Sequence, residues 1–151
     1  MSRGPVSEWD GPEDSPGFLL WRATLAWQRA MRAALSPHGL THVQFVLLAS
    51  AWWLGQHEAP TQQRLAEHAG TDPMMTSQVI RKLEERGFVV RQQDPADARA
   101  RRIVLTPAGR SLLTKALRDV ERADAEFFAG LGNERARFTR GLARLGRDDS
   151  T

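Results

Sequence analysis

Three arginines, Arg99, Arg101 and Arg102, lie within four residues of one another. A guanidinium group presents planar N–H donors that match phosphate oxygens, and it is also drawn into a narrow DNA minor groove by the negative potential there. Asp97 lies two residues before Arg99, so on an extended segment its carboxylate can orient the Arg99 guanidinium. The cluster therefore predicts that Arg99 enters a minor groove and that the other two arginines contact phosphates. The alternative is a surface Asp–Arg pair of little energetic weight.

A second set of polar side chains lies on a predicted helix that Asp72 caps and Pro73 opens. Apolar or small residues recur there at helical spacing and should face the core. The opposite face carries thioether, hydroxyl, amide and cationic groups, which suit a DNA major groove. This predicted DNA-binding face consists of Met74, Met75, Ser77, Gln78, Arg81 and Lys82. The alternative is an ordinary solvated helix face.

Both sets depend on one run of predicted elements. A helix over Gln62–Ala69 starts at the cap Thr61, and the turn Gly70-Thr71 leads to a second helix that ends at Gly87. Two short strands follow, with a polar, arginine-rich tip between them, and Thr106-Pro107 opens another helix. The second helix and the two strands cover Pro73–Arg86, Phe88–Arg91 and Arg102–Leu105. This order is that of a winged helix-turn-helix.

Three segments of this run resemble the MarR family of transcription regulators. They are Leu83-Glu84-Glu85-Arg86-Gly87-Phe88-Val89, Asp94-Pro95-Ala96-Asp97-Ala98-Arg99 and Val104-Leu105-Thr106-Pro107-Ala108-Gly109. The resemblance implies a homodimer that binds double-stranded DNA, usually as a repressor, with the arginine at position 99 in a minor groove. Gln78 stands where the family often has arginine, and Met74-Met75 is an unusual helix start.

The flanking segments predict a mainly α fold with a small β-hairpin wing. Residues 1–14 are expected to form a flexible arm, and residues 15–147 one domain with its winged helix at about 41–106. The predicted dimerisation helices cover about 15–36 and 107–146, and they carry apolar residues beyond what one small core needs. Thr41 and Gln44 form a capping box at a central apolar helix, and Asn133 is expected to cap the last helix. Trp9 in the arm packs either on the body or on a partner subunit.

Four of the five tryptophans lie on the first two predicted helices. Core packing is the simple explanation for most of them. The resemblance instead implies that small aromatic acids bind between the dimerisation helices and the winged-helix body. On that reading the ligand contacts are Arg22, Trp27, His42, Trp52 and Trp53.

Catalysis has no support in the sequence. There is no cysteine, hence no disulfide framework and no thiol switch, and there is no nucleophile, phosphate-loop or dinucleotide signature. No catalytic residue, cofactor or metal ligand is predicted. His38 and His42 could approach each other, which leaves a zinc-responsive regulator as one alternative reading.

The charge distribution favours a nucleic-acid partner. Residues 61–110 hold nine Lys or Arg and six Asp or Glu, an excess of +3 that equals the charge of the whole chain. The N-terminus lacks a signal-peptide pattern and no segment is apolar enough to span a membrane, so a cytoplasmic location is expected. The predicted function is a sequence-specific, homodimeric regulator, a repressor that binds a pseudo-palindromic operator and is released by a small aromatic ligand. A winged helix used only for protein contacts is the other alternative.

Overall fold

The computed structural model describes residues 4–147. It contains six α-helices and one two-stranded antiparallel sheet. One short 3-10 turn precedes the first helix, and two more join consecutive helices. The helices are α1 Pro16–Leu35, α2 His42–Leu54, α3 Gln62–Ala69, α4 Pro73–Glu85, α5 Pro107–Phe128 and α6 Arg135–Leu145; the strands are β1 Val89–Gln93 and β2 Arg101–Leu105. The predicted fold class is confirmed, namely a winged helix-turn-helix with long helices at either end.

Local capping fixes where these helices begin. The Thr61, Asp72 and Thr106 side chains each accept a hydrogen bond from the backbone N–H three residues on. Thr41 and Gln44 form the reciprocal capping box at the start of α2. Because each bond spans only three residues, the sequence predicted these starts correctly.

The hydrophobic core lies under the helix-turn-helix and the root of the wing. Its fully buried side chains include Leu47 and Leu48 of α2, Ile80 and Leu83 of α4, and Ile103 of β2. The C-terminal half of α1 joins this core, whereas its N-terminal half and the described part of α6 bury no side chain. The two ends of the chain therefore contribute little to the core of a single copy.

Apolar side chains remain exposed on those two helices. They are Phe18, Leu19, Leu20 and Trp21 on α1, and Phe138, Leu142 and Leu145 on α6. Such surface is what a second subunit would cover, so the dimer stays a prediction with a defined place in the fold. None of the helices described over residues 4–147 is long and apolar enough to cross a membrane.

The chain ends differ in detail from the expectation. Asn133 does not cap α6: it lies in the turn Ala129–Glu134, and α6 begins at Arg135 without a side-chain cap. Gly132, with φ of 55°, reverses the chain there, and the turn runs on past Asn133. In the arm, Pro12–Asp14 forms a 3-10 turn directly before α1, and the side chain of Trp9 is 48% exposed.

Candidate nucleic-acid interface

Helix α4 presents the predicted polar face to solvent. Thr76, Ile80 and Leu83 point into the core, and the Thr76 hydroxyl donates to the carbonyl of Asp72 at 2.8 Å. Five of the six predicted DNA-binding residues are exposed: Met74, Met75, Gln78, Arg81 and Lys82. Ser77, the sixth, is half-buried. One continuous side of α4 is thus free to enter a groove.

The wing is pinned to the body by backbone hydrogen bonds. β1 and β2 pair from Val89 opposite Leu105 to Gln93 opposite Arg101. On its other edge β2 meets the start of α3, where the Ile103 N–H donates to the Pro60 carbonyl at 2.9 Å. Because β2 is held on both sides, the tip over residues 94–100 projects from a fixed base.

The expected pair between Asp97 and the Arg99 guanidinium does not form. The Asp97 carboxylate instead accepts the backbone N–H of Arg99 at 2.9 Å, and the Ala100 N–H donates to the Asp97 carbonyl at 3.1 Å. The expectation assumed an extended segment, but the tip is a turn in which the short aspartate side chain bonds the backbone two residues on. Across residues 4–147, the ion pairs do not include Arg99, so its side chain is free at the exposed tip.

Arg102 has a different role from the expected phosphate contact. Its guanidinium donates to the Ala59 carbonyl, and its Nη2 lies 3.1 Å from Asp94 Oδ2 and 3.0 Å from Glu58 Oε1. Only 21% of its side chain is exposed. Arg102 therefore braces the root of the wing, because its donors are already used within the chain. Arg101 remains exposed and donates to the Ala98 carbonyl at 3.1 Å.

Asp94 completes this brace and was not predicted as a functional position. It is 8% exposed, and its carboxylate accepts the Ala96 N–H at 2.9 Å. That backbone hydrogen bond, and next the charge of Arg102, hold the pKa of the Asp94 carboxyl below its usual value, although burial opposes the shift. The Asp94-Pro95 turn signal marked the position, but its arginine partner is set by the strand pairing.

Arg91 is a second position that sequence reasoning missed. Its Nη2 donates to the Ser77 carbonyl at 2.9 Å, and its backbone N–H donates to Glu84 Oε2 at 3.1 Å. Both acceptors belong to α4, so this strand residue fixes the wing relative to the helix. The feature that marks Arg91 as unusual is its charge at a half-buried position of a strand.

Gly109 lets α5 approach the wing closely. A Cβ at this position would lie 2.0 Å from the Phe88 carbonyl oxygen. The Thr106 hydroxyl donates to the Gly87 carbonyl at 2.6 Å, and the Thr106 backbone N–H donates to the Phe88 carbonyl at 3.0 Å. A glycine is therefore required where the helix start meets the start of β1.

The five predicted ligand contacts do not come together. His42 meets Trp27 edge to face at 4.9 Å between ring centroids, and the Trp27 indole N–H donates to Asp124 at 2.7 Å. Burial lowers the pKa of the His42 imidazole, and the Asp124 charge opposes this only in part. Trp52 lies ten residues further along α2, which is ~15 Å along the axis. Trp53 is exposed beside Trp52, with 6.3 Å between their ring centroids, and Arg22 is exposed on α1.

His42 and Trp52 line different grooves of the described structure. The His42 groove, about 380 Å³, lies between α1, α2 and the end of α3; its lining is Gln28, Arg32, His42, Val43, Val46, Ala69 and Thr71. The Trp52 groove, about 300 Å³, lies between α2 and α5; its lining is Trp52, Arg110, Leu113, Thr114, Leu117, Arg118 and Glu121. The Trp52 groove combines an indole, aliphatic walls and two guanidinium groups.

His38 and His42 do not form a pair. His38 Nε2 lies 2.6 Å from Asp119 Oδ2, while His42 contacts Trp27. Within the part of the chain that the structure describes, no three His, Cys, Asp or Glu side chains are grouped to hold a metal ion. The zinc-responsive alternative therefore gains no support from the placement of the histidines.

The match to a family model lies in the winged-helix part of the chain. The sequence model of the MarR family matches residues 40–100, which run from α2 to the wing. An uncharacterised HTH-type transcriptional regulator of Bacillus subtilis, YdcH, is 45% identical over 140 residues, covering 92% of this chain and 95% of its own.

Solved structures match both the winged helix and the flanking helices. CouR of Rhodococcus jostii, bound to p-coumaroyl-CoA, is 32% identical with a TM-score of 0.79, covering 90% of this chain and 94% of its own. The Mycobacterium tuberculosis protein Rv2887 in complex with DNA is 35% identical with a TM-score of 0.67, covering 88% and 98%. Rv2887 has also been solved with salicylic acid, at 36% identity and a TM-score of 0.66 over 87% and 96% of the two chains.

Proposed function

This chain belongs to the MarR family of transcription regulators, and we propose that it is a cytoplasmic, homodimeric repressor that a small aromatic ligand releases from DNA. The observation that carries the proposal is that an exposed polar face on α4 occurs together with two exposed arginines of the wing, Arg99 and Arg101. The DNA complex of Rv2887, a relative named a transcriptional repressor, supports it.

In this proposal α4 lies in a major groove and the wing reaches the neighbouring minor groove. Gln78 can form a bidentate hydrogen bond with adenine. Arg81 and Lys82, on the same exposed face of α4, contact phosphates or base edges. Arg99 enters the minor groove and Arg101 contacts a phosphate. Arg102 is left out of the DNA contacts because its guanidinium braces the wing.

The dimer follows from the apolar surface on α1 and α6. A two-fold dimer presents two α4 helices, so the operator should be pseudo-palindromic with half-sites about one helical turn, ~10 bp, apart. Light scattering at micromolar concentration should give twice the chain mass. A monomer there, or protection of a single unrepeated half-site, would contradict this part of the proposal.

The test of function is selection of operator sequences from a random DNA pool, followed by footprinting. The affinity should fall steeply with salt, because several phosphates are neutralised on binding. Arg122→Ala on α5, outside the proposed interface, is the matched control for the wing variants. If no duplex is enriched and binding lacks a salt dependence, the winged helix serves protein contacts instead.

For the ligand we favour the Trp52 groove. Its indole, its leucines and its two guanidinium groups complement an aromatic carboxylate. Because the groove joins α5, which continues toward the dimer region, to α2 of the body, a ligand there can favour a different spacing of the two α4 helices. Its effect on DNA affinity is limited by its affinity difference between the two arrangements.

Salicylate titrated against tryptophan fluorescence and operator binding tests this assignment. We expect quenching together with weaker DNA binding, and loss of both effects in Arg118→Gln. Arg32→Gln, the matched change in the His42 groove, should leave both effects intact. If only Arg32→Gln abolishes them, the ligand occupies the His42 groove; if a wide panel of aromatic acids changes neither signal, the ligand part of the proposal fails.

A further inference from the structure

Four arginines lie together at the end of the described chain. Arg137, Arg140 and Arg144 follow one another on α6 at spacings of three and four, which places them on one side of the helix, and Arg147 lies two residues after the helix ends. With Ala143 they line an open concavity of about 500 Å³. Among residues 4–147, no carboxylate forms an ion pair with any of them. We refer to these four residues as the arginine face.

The arm before α1 carries the opposite charge. Its four acidic residues are all exposed, and across the described residues none of them takes part in an ion pair. They are Glu8, Asp10, Glu13 and Asp14. Pro12–Asp14 forms the turn directly before α1, so the arm stays close to the start of that helix. We refer to residues 8–14 as the acidic arm.

Each charged surface adjoins an apolar one. The acidic arm leads directly into the exposed apolar half of α1, Phe18 to Trp21, and the arginine face shares α6 with Phe138, Leu142 and Leu145. Within its own chain α6 packs on the turn Ala129–Glu134, and Phe138 lies 6.0 Å from Phe128 between ring centroids. When the apolar half of α1 from one copy covers the apolar side of α6 from another, the acidic arm is brought to that α6.

We propose that the acidic arm of one copy docks across the arginine face of α6 in the second copy. This inference rests on the homodimer of the proposed function and assigns the arm a role within it. A single exposed ion pair contributes little, but four carboxylates and four guanidinium groups side by side form a network. Because the network lies near the surface, salt screens it, so the strength of the dimer should depend on ionic strength.

Cysteine cross-linking tests the docking directly, because the chain has no cysteine of its own. Asp10→Cys protein is mixed with Arg140→Cys protein and oxidised in 50 mM NaCl. A disulfide between the two chains is expected, with a rate at least tenfold lower in 1 M NaCl. The matched control pairs Asp10→Cys with Arg64→Cys, an exposed arginine of α3, and should cross-link at least tenfold more slowly.

Charge reversal tests whether the pairing carries binding energy. Asp10→Lys with Glu13→Lys reverses two of the four charges of the arm, and Arg140→Glu with Arg144→Glu reverses two of the four charges of the face. Each should raise the Kd of the dimer about tenfold at low salt, and the two together should return it to within threefold of the parent. Glu85→Lys on α4 is the control and should leave the Kd unchanged.

The outcomes separate this inference from the proposed function. A dimer that neither cross-links nor responds to reversal overturns the docking and leaves the regulator intact. A parent protein that stays monomeric at micromolar concentration contradicts the dimer itself. A single chain that carries both Asp10→Cys and Arg140→Cys tests the intramolecular alternative. If its disulfide forms within one chain rather than between two, the arm folds back on its own α6 and the docking between copies is overturned.

Two other occupants of the arginine face, a polyanion and the chain's own C-terminal carboxylates, would give different results. If reversing the face abolishes binding of inorganic polyphosphate but leaves the dimer Kd unchanged, a polyanion occupies it and the proposal is wrong. Asp148 and Asp149 follow Arg147 in the sequence and lie outside the described residues. Removal of residues 148–151 should leave the cross-linking rate unchanged. A tenfold rise would mean that Asp148 and Asp149 occupy the arginine face in the parent, and it would overturn the assignment.

Discussion

Asp94 and Arg102 form an ion pair at the root of the wing, with 3.1 Å between Oδ2 and Nη2. Asp94 also accepts the Ala96 N–H at the start of the tip, and Arg102 also donates to the Ala59 carbonyl in front of α3. The pair thus connects the tip to the body. A wing held in this way can present Arg99 and Arg101 in one position.

Asp94→Asn should lower the urea midpoint of unfolding at pH 7. The folded-state pKa of this carboxyl lies below its ordinary value, so the carboxylate stabilises the fold above about pH 4 and loses this effect as the pH falls through the folded-state pKa. The difference between variant and parent should therefore shrink as the pH is lowered through the folded-state pKa of Asp94. Glu85→Gln, at an exposed position of α4, is the control, and equal midpoints of parent and Asp94→Asn at pH 7 would contradict the brace.

Arg99→Ala should weaken specific and non-specific DNA binding by similar factors. A minor-groove arginine contributes mainly charge and shape recognition, so the slope of log K against log salt should fall by about one. Fluorescence anisotropy with operator and random duplexes measures both. Unchanged affinity for operator at moderate salt would mean that the wing tip does not enter DNA.

Gln78→Ala should relax the choice of base at one position in each half-site. Loss of a bidentate contact to adenine removes a discrimination of about 1–3 kcal/mol. Competition between operators that differ at single positions shows which base the side chain reads. If the preference profile of the variant equals that of the parent, Gln78 does not contact a base edge.

Gly109→Ala should destabilise the protein by about 1–3 kcal/mol, the usual cost of forcing extra volume into a packed site. The added Cβ would lie 2.0 Å from the Phe88 carbonyl oxygen. Neither α5 nor the segment before β1 can relieve this clash without moving the wing. Urea unfolding measures the change. Gly130→Ala is the control, because a Cβ there has no heavy atom within 4 Å.

His42→Phe should reduce the loss of stability on mild acidification. Burial lowers the folded-state pKa of His42, so the unfolded chain binds the proton first, and stability falls as the pH drops below the ordinary value of 6.5. Phenylalanine keeps an aromatic contact to Trp27 but does not titrate. Thermal unfolding between pH 7.5 and 5.5 compares the two, with exposed His57→Gln as control, and identical pH profiles of parent and His42→Phe would refute the assignment.

The sequence predicted the elements well because their signals are local. Thr61, Asp72 and Thr106 reach only three residues along the chain, and Gly87, with φ of 81°, ends the α4 segment as a left-handed residue. The polar face of α4 follows in the same way from helical periodicity. The strands are displaced slightly: β1 is Val89–Gln93 rather than Phe88–Arg91, because pairing with β2 extends toward the tip.

Local sequence signals could not distinguish the roles of the three wing arginines. Arg99, Arg101 and Arg102 look equivalent in the sequence, yet Arg102 is used internally because Ala59 and Glu58 are brought beside it when β2 pairs with the start of α3. The predicted ligand contacts are spread over the body for the reverse reason. Its members are near in sequence, but a rigid helix keeps His42 and Trp52 in separate grooves.

The sequence by itself determined the helices, their caps, the hairpin and the exposed face of α4, since hydrogen bonds over three or four residues and apolar periodicity specify each of them. Only the tertiary structure decided which charged groups remain available at the surface and which are engaged in contacts within the chain. That choice depends on contacts between residues such as Glu58 and Arg102, far apart in the chain, whose distance is fixed only when the wing packs on the body.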